Sequence, residues 1–272
     1  MRELPTSGNG MPVAEGEGAT RRSSSSRALT LLDAFAGPRA ILGVSELAAR
    51  AGVPKSTAHR QLATLVTHGY VRRVGDRYRL AEHTFEMGNL LWACRPGGLR
   101  ERAIPFMIEL SHQTNETVHL AIRDGDSVLY LEKLFGHRAT PCPTSVGSRR
   151  PLHCTGLGKA ILAFSSETTT DLLLSGPLRR FTPHTRATPN ALARDLERAR
   201  NDGVASESEE YAAGLVCVAA PILDRDTGLA IGAMSVSATP GRAQLHRFAS
   251  QVLRAAEALN RGPRGAPVRN LG

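Results

Sequence analysis

Residues Val44–Leu80, VSELAARAGVPKSTAHRQLATLVTHGYVRRVGDRYRL, decide the fold of the first part of the chain. Apolar residues recur at helical spacing before and after a break at Gly52 and Pro54. The pattern predicts a short helix that Ser45 could cap, a tight turn, and a longer helix from about Pro54 to His68, stopped by Gly69. The apolar stripes are Val44, Leu47, Ala48 and Ala51, then Ala58, Leu62, Leu65 and Val66. Two helices joined in this way are typical of a DNA-reading helix-turn-helix.

Polar and basic side chains cluster early on the second helix and around a hairpin that follows it. Tyr70–Leu80 alternates with a period of two about Gly75-Asp76, which predicts a two-stranded wing. A solvated basic hairpin is the alternative, but its position next to a reading helix favours contact with DNA. We expect the helix residues to reach bases or phosphates and the wing to contact the backbone. The candidate DNA-binding residues are Lys55, Ser56, Thr57, His59, Arg60, Arg72, Arg73 and Arg77.

The positive charge of the chain is concentrated on this stretch. The formal net charge is +9, and residues 21–80 hold eleven Lys/Arg against three Asp/Glu. Residues 81–272 hold 22 against 19, which is close to balanced. Such an excess on the predicted reader is the electrostatic pattern expected for phosphate contacts.

The segments around the reader show where the domains are expected to begin and end. Residues 1–25 are rich in Gly, Ser and charge and are predicted to be a disordered leader, in which Arg21 and Arg22 are more plausible as solvated than as DNA contacts. Residues 27–36 predict a support helix, so the winged helix-turn-helix domain spans 26–80. Residues 81–97 predict a linker helix that ends at the break Arg95–Gly98.

The second half of the chain combines helices with strands of period two. Alternating apolar residues at 116–123 and 127–135, with two later strands at 215–223 and 229–237, predict a largely antiparallel sheet. Helical patterns at 99–112, 157–164, 191–202 and 244–259 flank these strands. The fold class is therefore expected to be α+β, with a second domain at 98–260 and a flexible tail at 261–272.

Several motifs together resemble the IclR family of bacterial transcription regulators. The resemblance covers roughly residues 26–259, and its C-terminal blocks follow the reader in the family's order and spacing. They are ALTLLDAF (28–35), the reader with its wing, PLHCTGLGKAILA (151–163), GLVCVAAPI (214–222) and AIGAMSVSAT (230–239). The resemblance implies a winged N-terminal domain, a linker helix used in dimerisation, and a GAF/PAS-like effector-binding domain.

The resemblance also implies where a small-molecule effector would bind. Ser235 and Ser237, two residues apart on one strand, can point to the same side, and a helix starting at Gly156 would expose N–H groups to an anion. These features suit a small carboxylate or an aromatic acid. The effector-binding residues carried over by position are Gly156, Leu157, Glu207, Leu215, Cys217, Ser235 and Ser237, although the family often has Asp in place of Glu207.

Other kinds of site are less well supported. GLGKA lacks the first Gly and the final Ser/Thr of a phosphate loop, so nucleotide hydrolysis is rejected and Lys159 is expected to be structural or on the surface. Cys142, His153, Cys154 and Cys217 lack zinc-motif spacing. A satisfied or solvent-facing His119 is preferred to a catalytic base, and Glu209 and Glu210 are expected in a solvated loop. No cofactor, metal or catalytic activity is expected.

The sequence as a whole predicts a DNA-binding transcriptional repressor controlled by an organic acid. We expect it to act as a homodimer or a dimer of dimers on a palindromic double-stranded operator. The four separated cysteines, with no CxxC pair and no apolar signal core at the N-terminus, indicate a cytoplasmic protein that does not enter membranes. Two alternatives remain open: a C-terminal domain that serves only in oligomerisation or protein interaction, or a thiol- or metal-responsive switch.

Overall fold

The computed structural model describes residues 23–37, 39–137, 142–242 and 244–262. The predictions for Arg21, Arg22 and most of the leader and tail lie outside these residues. The chain divides into two compact units, with the boundary between Leu91 and Trp92. Within the described residues, no helix combines the length and apolar character needed to cross a membrane.

The N-terminal unit is a three-helix core with a small antiparallel sheet. Its helices and strands are α1 (Ser24–Asp33), β1 (Leu42–Gly43), α2 (Val44–Ala51), α3 (Lys55–Thr67), β2 (Val71–Val74), β3 (Arg77–Leu80) and α4 (Glu82–Asn89). The strand order is β1-β3-β2, so β2 and β3 form the predicted wing. Leu31, Leu47 and Leu62 are fully buried where α1, α2 and α3 meet.

Several boundaries differ from the sequence prediction. Ser23 caps α1, so the helix begins inside the segment predicted as a disordered leader. Gly43 occupies the N-cap of α2, which places Ser45 inside the helix, where it cannot cap. Val66 is 38% exposed, because the buried face of α3 is narrower than the predicted stripe. The linker helix is also shorter than predicted, because regular α4 ends at Asn89 and turns follow.

The C-terminal unit has a six-stranded antiparallel sheet between two helical layers. Its helices and strands are α5 (Leu99–Thr114), β4 (Thr117–Asp124), β5 (Ser127–Leu134), β6 (Arg149–Pro151), α6 (Gly156–Ala163), α7 (Glu167–Ser175), α8 (Pro189–Asp202), β7 (Ala205–Ser208), β8 (Val216–Leu223), β9 (Ala230–Ala238) and α9 (Leu245–Arg261). The strand order is β6-β5-β4-β9-β8-β7. The elements β6, α7 and β7 were not predicted, and Arg261 belongs to α9 rather than to the tail.

The two faces of the sheet have different cores. Alternate residues of β4, β8 and β9, including Leu120, Val218 and Val236, pack toward α5 and α9. The residues between them, including Ala219 and Ala233, pack toward α6 and α8. Burial on both faces explains why β4 is buried from Thr117 to Ile122 although only every second residue was predicted to face inward.

Candidate functional site

The exposed start of α3 carries the predicted DNA-reading residues. Lys55, Ser56, His59 and Arg60 are exposed, and Thr57 is half-buried. The N-cap residue Pro54 makes no side-chain hydrogen bond to the helix. The first N–H groups of α3 therefore remain open to an anion, next to the charges of Lys55 and Arg60.

Of the wing arginines, Arg72 and Arg73 are exposed but already have protein contacts. Arg72 pairs with Glu82 at 2.9 Å, and the Nε of Arg73 donates to the Gly75 carbonyl at 2.9 Å. Arg79 also donates to Glu82, at 2.8 Å, and this hydrogen bond lowers the pKa of Glu82 and favours its charged form. A DNA phosphate would have to compete with Glu82 for Arg72, whereas Arg77 at the hairpin turn is exposed.

In the C-terminal unit, one pocket lies on the α6 side of the sheet. The cavity enclosed by its lining atoms is small, about 20 Å³. All seven residues predicted to bind an effector line it, and they come from α6, β7, β8, β9 and the loop before β8. Sequence reasoning missed the other lining residues, which are Tyr130, Cys142, Pro143, Thr144, Thr155 and Tyr211.

Strand register explains why these distant residues meet. Glu207 on β7 is paired with Cys217 on β8, and Cys217 is paired with Ser237 on β9. Residues paired across antiparallel strands point to the same face, so the three side chains form a row. Ser235 lies two residues along β9 and points the same way. These side chains therefore meet at one cavity, which Gly156 and Ser235 also line.

The Ser235 hydroxyl is the least satisfied polar group in the pocket. Ser235 is fully buried, and its Oγ has no well-formed hydrogen bond to the described residues, although it lies close enough to the Cys217 thiol to affect it. Ser237 Oγ lies 3.5 Å from Nδ1 of His119. A buried hydroxyl without a partner costs stability, and a bound ligand can supply the missing hydrogen bond.

The pocket lining is electrically neutral near pH 7. Burial raises the pKa of Glu207 to about 8 and that of Cys217 to about 12. Burial also raises the pKa of Cys142 and of Tyr130. Because the thiols stay protonated, they are poor nucleophiles and poor metal ligands, which disfavours a thiol-responsive switch.

His119 is a satisfied core histidine, one of the two roles expected for it. Its Nε2 lies 2.8 Å from the Thr144 hydroxyl, and burial lowers its pKa to about 3, so it is uncharged. The loop that carries Thr144 is also held by Lys133, whose Nζ donates to the carbonyls of Cys142 and Thr144 at 3.0 and 2.7 Å. These contacts fix one wall of the pocket.

A buried ionic cluster lies beneath the Glu207 side of the pocket. Lys159 on α6 is 1% exposed, and its Nζ donates to Asp195 at 2.7 Å and to Glu210 at 2.5 Å. The predicted solvated position of Glu210 is therefore wrong, and Lys159 is structural rather than on the surface. The Glu210 N–H donates to the Glu207 carboxylate at 3.0 Å, which joins the cluster to the pocket.

The candidate metal ligands Cys142, His153, Cys154 and Cys217 do not come together as a metal site in the described part of the chain. Cys142 and Cys217 line the pocket, whereas the Nε2–H of His153 donates to the Arg179 carbonyl, 2.9 Å away. In the part of the chain that the structure describes, no group of three or more His, Cys, Asp or Glu side chains could hold a metal ion.

A winged helix-turn-helix unit followed along the chain by a sheet domain with a cavity is typical of a DNA-binding regulator of transcription. Residues 24–75 match the model of the IclR helix-turn-helix domain. Residues 95–261 match the model of the bacterial transcriptional regulator IclR C-terminal domain. The chain therefore belongs to the IclR family, and the predicted family and α+β fold class are confirmed.

Curated relatives support the same assignment. The HTH-type transcriptional regulator XynR of Escherichia coli is 35% identical over 86% of this chain and 94% of its own length. The transcriptional repressor IclR of the same species is 31% identical over 90% of this chain and 91% of its own. These relatives regulate transcription, which confirms that the chain is a regulator rather than an enzyme.

Solved structures of similar proteins share the fold. An IclR homologue from Microbacterium hydrocarbonoxydans, crystallised with 4-hydroxybenzoate, superposes with a TM-score of 0.77 at 28% identity, over 88% of this chain and 98% of its own. The IclR protein of Thermotoga maritima gives a TM-score of 0.73 at 28% identity, over 88% and 97%.

Proposed function

We propose that the protein is a homo-oligomeric repressor whose affinity for a palindromic operator is controlled by a small organic acid bound in its C-terminal unit. The observation that carries this proposal is the pocket lined by Gly156, Glu207, Cys217, Ser235 and Ser237. The pocket contains an unsatisfied buried hydroxyl, as expected of a binding site. As a regulator of bacterial operators, the protein would act in the cytoplasm.

The reader would place one α3 in the major groove of each half-site. Ser56, Thr57, His59 and Arg60 would contact base edges or nearby phosphates, and Lys55 with the wing arginines Arg72, Arg73 and Arg77 would hold the backbone. Two copies would span half-sites about 34 Å apart. The exposed apolar side chains of Phe85 and Leu90, in and just after α4, support its proposed use in pairing two copies.

Replacing Arg60 with alanine should weaken operator binding about 10- to 100-fold, or about 1–3 kcal/mol, if the side chain makes a specific base contact. The measurement is a titration of a selected operator at fixed salt, because phosphate contacts depend strongly on ionic strength. Arg194→Ala, which removes an exposed cation from α8, is the control. Unchanged affinity in Arg60→Ala would contradict the assignment of α3 as the reader.

The effector is proposed to be a small carboxylate or an aromatic acid. The homologue that binds 4-hydroxybenzoate supports this class, as does a neutral pocket with hydroxyl donors. An effector changes operator affinity only by its difference in affinity for the two states of the protein. We therefore propose that the effector binds one of two domain arrangements more tightly than the other, and that this difference in affinity changes how well the reader binds the operator.

A Ser235→Ala variant should bind the effector about tenfold more weakly, because it removes one hydrogen bond of about 1–1.5 kcal/mol. Its thermal stability should not fall and should rise slightly, since the buried hydroxyl has no well-formed bond to the described residues in the free protein. The measurement is a thermal-shift screen of small acids, beginning with 4-hydroxybenzoate, followed by calorimetric titration of the wild type and the variant. Ser250→Ala, an exposed serine on α9, is the control. No hit, or equal affinity of wild type and Ser235→Ala, would contradict the proposal.

A further inference from the structure

Two neighbouring buried glutamates near the pocket, Glu207 and Glu210, differ in whether a cation is paired with them. We infer that Lys159 pairs with Glu210 and leaves Glu207 as a neutral carboxylic acid that donates a hydrogen bond to the acidic group of the effector. This inference rests on the proposed function, because it assigns the chemistry by which the pocket would hold an organic acid.

Each cation of the ionic cluster is paired with at least one carboxylate. Lys159 is within hydrogen-bond distance of both Asp195 and Glu210. Asp195 is also paired with Arg186 at 3.3 Å and with Arg198 at 3.1 Å. Lys159 and, more weakly, the two exposed arginines stabilise the Asp195 carboxylate, whereas Lys159 is the one cation within ion-pair distance of Glu210 among the described residues. A buried ammonium next to a carboxylate strongly favours the ionised form of both.

Glu207 has no such compensation. It is 4% exposed, and the one hydrogen bond that its carboxyl group makes to described residues comes from the Glu210 N–H. Burial favours its neutral form most strongly, and the anions Glu210 and Glu209 add to this effect, whereas the Glu210 N–H bond and the Lys159 ammonium favour its ionised form. The titratable groups Tyr130, Cys142, Cys154 and Cys217 also sense Glu207, but burial keeps them protonated.

A neutral Glu207 changes the ligand that the pocket can accept. No Lys, Arg or His lines the pocket among the described residues, so an effector carboxylate would not meet a cation there. It would meet the O–H groups of Glu207, Ser235 and Ser237, and an O–H donor to a carboxylate forms a short, strong bond. An ionised Glu207 would repel the same ligand.

The charge state can be tested without a ligand. Above about pH 4.5 the unfolded chain releases the Glu207 proton, whereas the folded protein keeps it up to about pH 8. The folding equilibrium of the wild type should therefore fall relative to Glu207→Gln by up to about tenfold per pH unit between pH 5 and 8, and no further above pH 8. The measurement is urea unfolding of the full chain at several pH values.

Two variants serve as comparisons for this titration. Glu197→Gln removes an exposed carboxylate from α8 and should leave the pH dependence of the wild type intact. Glu210→Gln tests the opposite assignment, because Oε2 of Glu210 is buried without a hydrogen-bond partner and could carry the proton instead. Loss of the pH dependence in Glu210→Gln but not in Glu207→Gln, or its persistence in both, would overturn the inference.

The ligand role is tested by titrating 4-hydroxybenzoate into the wild type and Glu207→Gln. Wild-type affinity should fall about tenfold more than that of the variant between pH 7 and pH 9; the variant accounts for any titration of the ligand's phenol. Binding that is independent of pH in the wild type would overturn the donor role of Glu207. An absence of binding at both pH values would overturn the proposed effector class and the donor role with it, and the unfolding titration would still decide the charge state.

Discussion

Lys159→Met is expected to destabilise the C-terminal unit by about 3–5 kcal/mol at neutral pH, because removing one partner of a buried ion pair leaves a buried charge uncompensated. Methionine has nearly the length of lysine, so the substitution removes the ammonium with little change in packing. Asp195 keeps Arg186 and Arg198, but Glu210 loses its one cation within ion-pair distance among the described residues. The cost should therefore arise mainly at Glu210.

Chemical denaturation of the full chain, following the C-terminal transition, measures this effect. Arg194→Met removes an exposed cation from α8 and should change stability by less than about 0.5 kcal/mol. The double variant Lys159→Met with Glu210→Gln should recover part of the loss, because it removes the orphaned charge. A Lys159→Met variant as stable as the wild type would show that the ion pair has no structural role.

The loss should extend to effector binding. The Lys159 partner Glu210 lies between two pocket residues, Glu207 and Tyr211, and its carbonyl accepts a hydrogen bond from Thr185 at 2.7 Å. A loop released from Lys159 would no longer hold the Glu207 side chain next to Cys217 and Ser237 in the pocket. Lys159 is therefore a positioning residue for the pocket, although it does not line it.

The reader could be predicted because its signals are local. The helix stripes, the Gly52–Pro54 break and the turn at Gly75 each occupy a few consecutive residues, and the structure places helices, turn and hairpin there. The predicted stripe failed at Val66, since which residues are buried depends on where α1 and α2 pack against α3. Local periodicity does not contain that information.

The pocket could be predicted only through the family resemblance. Its row of Glu207, Cys217 and Ser237 depends on the register of three strands, and nothing in the local sequence specifies that register. Tyr130, Cys142 and Tyr211 were missed because they belong to none of the motifs that carry the resemblance. Alternation on β5, where Val128 and Tyr130 are buried, was the one local signal that pointed to Tyr130.

The ionic cluster is harder to predict from the sequence than the reader or the pocket. Lys159 and Glu210 are 51 residues apart in the chain, and both lie in segments that allow a surface position. A charged residue is usually solvated, so the sequence alone favoured that outcome for Glu210. The partner that makes its burial tolerable is visible only once α6 packs beside β7.

Gly158→Ala should destabilise the C-terminal unit by about 3 kcal/mol or more, beyond the usual range for one added methyl group. A Cβ at this position would lie 2.1 Å from the Leu152 carbonyl oxygen and 2.4 Å from the Leu152 Cα, and both are backbone atoms that cannot rotate away. Relief would require α6 to shift, yet the Gly158 N–H is held by the Thr155 hydroxyl at 3.1 Å. The first turn of the helix would therefore be distorted.

The distortion should also reach the pocket, because the same turn carries the lining residues Gly156 and Leu157. Unfolding of the full chain and thermal shift with 4-hydroxybenzoate measure the two effects. Gly176→Ala is the control, since a Cβ there would meet its nearest atom at 3.6 Å, an ordinary contact. A Gly158→Ala variant as stable as the wild type would contradict the close approach of α6 to the Leu152 backbone. The second glycine of GLGKA, Gly158, is thus expected to serve packing of α6 against the chain at Leu152, and Lys159 to pair with buried carboxylates. These structural roles account for both residues without a phosphate ligand.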